Sequence, residues 1–209
     1  MDYFYSVKAP RSREIKIKRS TFICALSQVD SMEEAKTFIS SISSEHKTAT
    51  HNCWAYIVGE QGETFHSSDN GEPSGTAGKP MLNVLQSHHM TRIVAVVTRY
   101  FGGVKLGIRG LIDAYAEAVE SAVAMEKLTK LVKINAYRVT LPYAFNDTLL
   151  YQLNNYGVGI VGTDYTDKVI HGVEVEAHRA PELEKILTEY QEGGKLTFEG
   201  PLDPAAQDI

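Results

Sequence analysis

DNGEPSGTAGKP (residues 69–80) and TRYFGGVKLGIRG (residues 98–110) are two glycine-rich stretches in the first half of this 209-residue chain. Three glycines and two prolines within the first stretch interrupt any helix or strand, so we predict a shaped loop there. The second stretch contains four glycines and leads into a predicted helix whose apolar face includes Leu111, Tyr115 and Met125. Both stretches therefore place backbone N–H groups beside the start of a helix.

Loops of this kind can bind an anion, because glycine lets successive N–H groups converge and a helix N-terminus adds partial positive charge. Arg99, Lys105 and Arg109 could add fixed cations, so the expected ligand is phosphate or an acidic side chain. The P-loop and dinucleotide patterns are both absent, and tight turns that pack a helix on a sheet are the alternative. The candidate ligand- and anion-binding residues are Asp69, Glu72, Gly75, Thr76, Arg99, Tyr100, Gly102, Gly103, Lys105 and Arg109.

Two pairs of residues could support catalysis. Asp69 and Glu72 suit a divalent cation or an acid and a base, although Glu72 could equally pair with Arg99 or cap a backbone amide. His51 and Cys53 share a face of a predicted strand, the minimum for a cysteine nucleophile, but cysteine is often buried for packing alone and no third group orients the pair. We therefore predict no catalytic residue, no metal and no cofactor.

Strands and helices alternate in the rest of the first half. Ser31 and Glu34 have the capping-box spacing of a helix start, and a second helix is expected from Met81. Alternating or β-branched runs predict strands at residues 15–18, 21–29, 52–58, 63–67 and 93–98.

The second half has a different order of elements, β-α-β-β-α-β. The predicted strands are residues 131–141, 159–166, 169–177 and 196–198, and the predicted helices are residues 146–155 and 181–190. This order is that of the ferredoxin-like arrangement, an antiparallel sheet with two helices on one face. We predict an α+β protein of two domains, residues 1–129 and 130–209.

Composition and charge narrow the class of protein. The chain is 43% hydrophobic with a net charge of −5, has no apolar run long enough for a membrane span, and starts without the layout of a secretory signal. Cys24 and Cys53 are too few for a disulfide framework, so we expect the cytoplasm. Residues 1–130 carry 15 Lys and Arg and 14 Asp and Glu, whereas residues 131–209 carry 6 and 12, so all the net acidity lies in the second half.

A group of basic residues lies near the start of the chain. They are Lys8, Arg11, Arg13, Lys16, Lys18 and Arg19. Such a group could meet a polyanion, or it could guard a solvated edge strand against aggregation. Tyr100 and Phe101 beside Arg99 could form an aromatic platform with a cation, the combination that stacks on nucleobases.

The two long motifs, DNGEPSGTAGKP and VVTRYFGGVKLGIRGLIDAY (residues 96–115), closely resemble the signature of the IMPACT family, in its bacterial YigZ-like branch. The resemblance covers roughly residues 15–125. It implies an N-terminal α/β sandwich of the type shared with a small-subunit ribosomal protein and with translocase-type elongation factors. It also implies that the second domain is similar to a late ferredoxin-like domain of elongation factor G. One position departs from the family pattern, which has glycine where this chain has Arg109.

For function, the resemblance implies a translation-linked regulatory protein, since the eukaryotic relatives regulate translation. We expect a non-enzymatic protein that contacts RNA, the ribosome or a translation factor through the glycine-rich loop face of the first domain, with no membrane partner. The alternative is a sensor or enzyme that binds a phosphate-bearing ligand with Asp69, Glu72, Arg99 and Lys105.

Overall fold

The computed structural model describes residues 3–202 and divides the chain into two compact units, with the boundary between Leu131 and Val132. The predicted domain ranges also include residues 1–2 and 203–209, which lie outside the described residues. None of the helices within residues 3–202 is long and apolar enough to cross a membrane.

The first unit contains a five-stranded antiparallel sheet in the order β2-β3-β6-β4-β5, and β1 pairs with β7 at the end of the unit. Its elements are β1 (Tyr3–Ser6), β2 (Arg11–Ile17), β3 (Ser20–Gln28), α1 (Met32–Glu45), β4 (His51–Val58), β5 (Thr64–Ser68), α2 (Gly78–Ser87), β6 (Ile93–Tyr100), α3 (Gly107–Val123) and β7 (Thr129–Val132).

The central strand β6 is buried on both faces, because helices cover the sheet on both sides. Ile93, Ala95 and Val97 pack in the core beneath α2 and α3. Val94 and Val96 lie in the smaller core beneath α1. All five side chains are fully buried, which explains why the strand consists of small and β-branched residues without alternation.

Near the start of the first unit, the structure has the elements that the local sequence predicts. The hydroxyl of Ser31 accepts the N–H of Glu34 at 3.1 Å, and the Glu34 carboxylate accepts the N–H of Asp30 at 2.9 Å, so the predicted cap of α1 is confirmed. The strands predicted at residues 15–18 and 21–29 are present as β2 and β3, which pair as a hairpin through Lys18, whose φ is 53°, and Arg19.

The basic residues near the start of the chain have different surroundings. β2 is an edge strand with Arg13 and Lys16 exposed, as the edge-strand interpretation expected. Arg11 is buried instead, and its Nη1 donates to the carbonyls of Val123 (3.3 Å) and Glu126 (3.1 Å) at the end of α3. A cation is favoured there because the helix C-terminus carries partial negative charge.

Both glycine-rich stretches end inside helices, whereas the sequence predicts that these helices start at Met81 and after Gly110. α2 begins at Gly78 and includes Pro80, and α3 begins at Gly107 and includes Gly110. Proline is tolerated in the first turn because its missing N–H would have no intrahelical acceptor. The prediction that residues 69–80 are a loop throughout is therefore wrong at its last three residues.

The second unit has the strand order β11-β8-β10-β9 with antiparallel pairing throughout, which is the ferredoxin-like arrangement. Its elements are β8 (Ile134–Leu141), α4 (Asn146–Asn155), β9 (Gly159–Tyr165), β10 (Val169–Glu176), α5 (Ala180–Glu192) and β11 (Thr197–Leu202). The strand predicted at residues 131–141 is two strands in the structure, since β7 ends at Val132 and β8 begins at Ile134. The predicted α+β class is confirmed.

His171 is buried between β9 and α4 in the second unit, with 2% of its surface exposed. Its Nδ1 lies 2.8 Å from the hydroxyl of Thr163 and its Nε2 lies 2.8 Å from Oδ1 of Asn146. A neutral ring satisfies both neighbours with one donor and one acceptor. Burial lowers the pKa of His171, because it disfavours the charged ring.

This burial predicts a specific loss of stability in acid. As the pH falls below about 6.5, the unfolded chain protonates this histidine while the folded chain does not, so the contribution present above that pH is lost. We expect urea unfolding followed by circular dichroism to show a larger loss between pH 7.5 and 5.5 for the wild type than for His171→Gln. An imidazole NMR titration that places the midpoint of His171 at or above that of an unfolded histidine contradicts the prediction.

Candidate functional site

The carboxylate of Asp69 closes the first glycine-rich loop. Its Oδ2 accepts the N–H of Gly75 at 2.8 Å, and its Oδ1 accepts the N–H groups of Ala77 and Gly78 at 2.9 Å each. Burial alone would raise the pKa of Asp69, but the three N–H donors outweigh it and lower the pKa below its ordinary value. The loop amides thus converge on an acidic side chain of the same chain.

Glu72 joins this loop to β6 and α3. Its side chain is 4% exposed, and its Oε1 accepts hydrogen bonds from Arg99 Nη1 at 2.5 Å and from the hydroxyl of Tyr115 at 2.9 Å. His51 Nε2 lies 3.9 Å from the same oxygen. The pairing of Glu72 with Arg99, one of the alternatives drawn from the sequence, is confirmed.

Arg99 is an internal cation. Its side chain is 6% exposed, Nη2 donates to the hydroxyl of Ser20 at 3.3 Å, and Cζ lies 5.4 Å from the ring centroids of Phe22 and Phe101. Nε has no hydrogen-bond partner among the described residues. The strand alternation places Arg99 on the face of β6 that also carries Val97, which faces α2 and α3.

Cys53 completes the buried cluster as an inert thiol. Its Sγ lies 2.9 Å from the carbonyl oxygen of Asp69 and 3.3 Å from the hydroxyl of Tyr115. Burial raises the pKa of Cys53 to about 12, so the thiol stays protonated at neutral pH. His51 is instead held by Asn70, whose carbonyl oxygen lies 2.8 Å from Nδ1. The nucleophile interpretation is therefore not supported.

The second glycine-rich stretch is fixed at its start and exposed further on. A Cβ at Gly102 would lie 1.6 Å from the carbonyl oxygen of Arg19, so only glycine fits against the β2–β3 turn. Gly103 has a φ of +83°. Lys105 is exposed, and Arg109, whose side chain is 89% exposed, pairs with Asp113 at 3.3 Å.

These positions correct the expected cluster of three cations. Arg99 lies inside, against Glu72, whereas Lys105 and Arg109 lie on the surface. Tyr100 is not beside Arg99 either, because successive residues of a strand face opposite sides, and its hydroxyl lies 2.9 Å from His46 Nδ1. Of the two aromatic residues in the expected platform, Phe101 is the one that contacts Arg99, and it is 44% exposed.

The remaining candidate residues stabilise the first loop. Gly75 has a φ of +76°, which favours glycine, and buried Thr76 donates its hydroxyl to the carbonyl of Pro73 at 2.6 Å. No group of three His, Cys, Asp or Glu side chains within residues 3–202 is placed to hold a metal ion. Asp69 and Glu72 are both engaged by donors of the protein itself, so neither is arranged as an acid or a base for a substrate.

Arg109, the departure from the family pattern, lies in the first turn of α3. Its φ is not positive, and α3 continues through it without a break. The backbone at this position does not need glycine, so the structure favours an added surface cation over a strained loop.

Four members of the buried cluster did not enter the list of predicted site residues: Ser20, Phe22, Cys53 and Tyr115. The sequence places Tyr115 on the apolar face of its helix, and the ring is indeed buried. Its hydroxyl differs from the rest of that face, because a buried hydroxyl needs a polar partner. The two-residue period of a strand puts Arg99 on the same face as Ala95 and Val97, and this spacing was the signal that could have placed Arg99 inside.

Exposed basic residues lie on the two segments that meet at Gly102, the residue after Phe101. The backbone carbonyl of Arg19 lies against Gly102, and Lys18 precedes Arg19 in the turn between β2 and β3. We call the five exposed or half-exposed residues Lys18, Arg19, Phe101, Lys105 and Arg109 the basic loop face.

Comparisons with known proteins agree with the resemblance seen in the sequence. The sequence profile described as the Impact N-terminal domain matches residues 18–123. IMPACT family member YvyE of Bacillus subtilis is 36% identical over 95% of this chain and 92% of its own length. IMPACT family member YigZ of Escherichia coli is 34% identical over 88% of this chain and 92% of its own. A crystal structure of a hypothetical protein, 32% identical, superposes with a TM-score of 0.63 over 98% of this chain and 99% of that one.

The buried ion pair predicts a large effect of removing its acid. Glu72→Ala leaves Arg99 buried without a carboxylate and should reduce the free energy of unfolding by about 3–5 kcal/mol. Trp54, the single tryptophan, lies in the first unit, so urea unfolding followed by its fluorescence measures the effect. Glu14→Ala, which breaks the exposed pair with Lys16, is the control and should cost less than about 1 kcal/mol.

A second variant tests the cause of that loss. Glu72→Ala combined with Arg99→Met removes both charges and should recover part of the stability, because an apolar pair needs no desolvation of charge. Equal losses for Glu72→Ala and Glu14→Ala contradict a stabilising buried pair.

Arg109→Gly restores the family residue and should reduce the free energy of unfolding by about 0.5–1 kcal/mol, because glycine disfavours a helix and the pair with Asp113 is lost. Arg109→Ala is the matched control and should change it by less than about 0.5 kcal/mol. The same fluorescence measurement applies. A gain in stability for the glycine variant would show that the position requires glycine after all.

Proposed function

Because the chain belongs to the IMPACT family, we propose that it is a translation-linked regulatory protein of the cytoplasm that binds RNA, free or in the ribosome, through its basic loop face. The translation link rests on the resemblance of the two glycine-rich motifs to that family. RNA as the ligand rests on the chemistry of the face itself. A translation factor is the other partner class that the resemblance implies.

The observation that carries the proposal is an exposed aromatic ring among exposed cations. Phe101 is 44% exposed, and the Arg99 guanidinium lies 5.4 Å from the centre of its ring. Lys105 and Arg19 are exposed on the two segments that meet at Gly102, the residue after Phe101. Lysine and arginine bind phosphates, and an exposed ring stacks on an unpaired base, so this combination suits single-stranded RNA.

Hydrogen bonds also fix the backbone that carries Phe101, and a fixed surface suits the binding of a partner better than a flexible segment does. The N–H of Phe101 donates to the hydroxyl of Thr50 at 3.1 Å, and the N–H of Gly102 donates to the hydroxyl of Ser20 at 3.5 Å. Side chains on a fixed loop lose less conformational entropy on binding than side chains on a mobile one. Arg99 also packs against the Phe101 ring, so the buried ion pair supports the proposal indirectly.

The competing idea of a phosphate sensor or enzyme is less well supported. Its three internal residues, Asp69, Glu72 and Arg99, satisfy one another or the loop amides. A small phosphate ligand would have to displace the Glu72 carboxylate from Arg99, at the cost of an unpaired buried acid. The exposed Lys105 alone does not make an enclosed site.

Binding to RNA should depend on the outer cations and on salt. For single-stranded RNA, each lost phosphate contact should lower the slope of log K against log salt by about 0.7. Arg19→Ala with Lys105→Ala should weaken binding of a labelled single-stranded RNA about three- to tenfold and reduce that slope, measured by fluorescence anisotropy. Lys36→Ala, on the exposed side of α1, is the matched control and should leave both unchanged.

Phe101→Ala separates base stacking from charge. It should weaken binding to single-stranded RNA by about 1–3 kcal/mol and affect duplex RNA much less. The proposal fails if neither RNA nor ribosomes bind, or if the Arg19 and Lys105 double variant binds as tightly as Lys36→Ala. Binding of a translation factor without RNA would assign the face to the other partner class.

A further inference from the structure

The second unit has an outer strand that is open on one side. Within the described residues, β9 pairs with β10 along one edge and has no strand on its other edge. Three of its apolar side chains are exposed: Ile160 by 43%, Val161 by 51% and Tyr165 by 67%. A free edge of this kind presents backbone N–H and C=O groups to which another extended segment can bind.

The other outer strands carry features that discourage such pairing. β2 has exposed Arg13, Glu14 and Lys16, and β11 contains Pro201, which has no N–H. β5 has only five residues. β9 has seven residues, no lysine and no proline, with Asp164 as its one charge.

A bulge limits the part of β9 that can accept a strand. Ile160 and Gly162 pair with the adjacent residues Val173 and Gly172, so Val161 is an extra residue on β9. Residues 162–165 continue in regular register. An added strand would therefore pair with these four residues and lie against the exposed side chain of Val161.

Two exposed tyrosines lie at the end of this segment. The rings of Tyr143 and Tyr165 are stacked with centroids 6.2 Å apart, and they are 53% and 67% exposed. The Tyr143 hydroxyl donates to the carbonyl of Thr166 at 2.8 Å, which holds its ring. Exposed aromatic faces attract arginine and lysine side chains through their quadrupole.

Charge decides which kind of strand fits. Residues 131–209 carry 12 Asp and Glu against 6 Lys and Arg. Near Tyr165, Asp164 and Asp167 are exposed, with Lys168 as the one cation among the next residues. A second copy of this unit or an RNA would be repelled, whereas a basic segment would be attracted.

We propose that β9 accepts an extended, arginine- or lysine-rich segment of a partner protein as an added strand, with a cationic side chain of that segment on the Tyr143–Tyr165 pair. The backbone of residues 162–165 supplies the hydrogen bonds, and the tyrosine pair and neighbouring acids select positive charge. This surface is separate from the basic loop face and does not depend on the proposed binding of RNA.

Three labelled eight-residue peptides test the proposal against the full chain by fluorescence anisotropy. One alternates arginine and valine, one alternates glutamate and valine, and one alternates arginine and proline. The third has the charge of the first, but its prolines lack an N–H and fix φ away from strand geometry, so only its arginines can donate strand hydrogen bonds. We expect the arginine–valine peptide to bind at least about tenfold more tightly than either of the others. It should also shift the backbone amide NMR signals of residues 162–165.

Surface variants locate the binding. Tyr165→Ala and Val161→Lys should each weaken the arginine–valine peptide about tenfold, the second by adding the charge that guards other edge strands. Tyr151→Ala is the matched control, because Tyr151 on α4 is 68% exposed, and it should leave binding unchanged. Circular dichroism checks that each variant is folded.

Several outcomes overturn the proposal. Equal binding of the arginine–valine and arginine–proline peptides would show that net charge alone causes the binding. Unchanged affinity in both Tyr165→Ala and Val161→Lys would place the peptide elsewhere. A dimer in sedimentation velocity that Val161→Lys converts to a monomer would make a second copy of the chain the occupant.

Discussion

The first unit depends on one buried ion pair, between Glu72 and Arg99. The two groups come from a loop and from the end of a central strand, 27 residues apart in sequence, and both side chains are more than nine-tenths buried. Taking two charges out of water is costly, and here Tyr115 and Ser20 supply the additional hydrogen bonds that such a pair needs. The pair thereby fixes an irregular glycine-rich loop to the sheet and to α3.

Because of this arrangement, a partner would contact the outer surface of the glycine-rich loops and not their inner polar groups. Three loop amides that could bind phosphate donate to Asp69 instead, and the internal cation, Arg99, is paired with Glu72. The ring of Phe101 and the side chains of Arg19 and Lys105 are exposed instead, and the proposed contact with RNA rests on them. Arg99 packs against the Phe101 ring, so the buried pair also positions that ring.

The parts of the fold that sequence reasoning predicted are those set by local chemistry. The cap at Ser31 depends on residues three positions apart. The strand–helix order of the second unit depends on short runs of neighbouring residues. The burial of Arg99 depends on a carboxylate distant in sequence, so charge alone favoured the surface and gave the wrong location. The starts of α2 and α3 were missed for a related reason, since glycine and proline discourage helix interiors but are tolerated in a first turn.

The two units also differ in the sign of charge that they can attract. Residues 1–130 have nearly balanced charge, so a polyanion can meet the local cations of the basic loop face without general repulsion. Residues 131–209 are acidic, so the open edge of β9 disfavours a polyanion and favours a basic segment. RNA and the basic protein segments that neutralise it occur together in ribonucleoprotein assemblies. Under the two proposals, one chain offers a surface for each component of such an assembly, which a uniformly basic protein would not do.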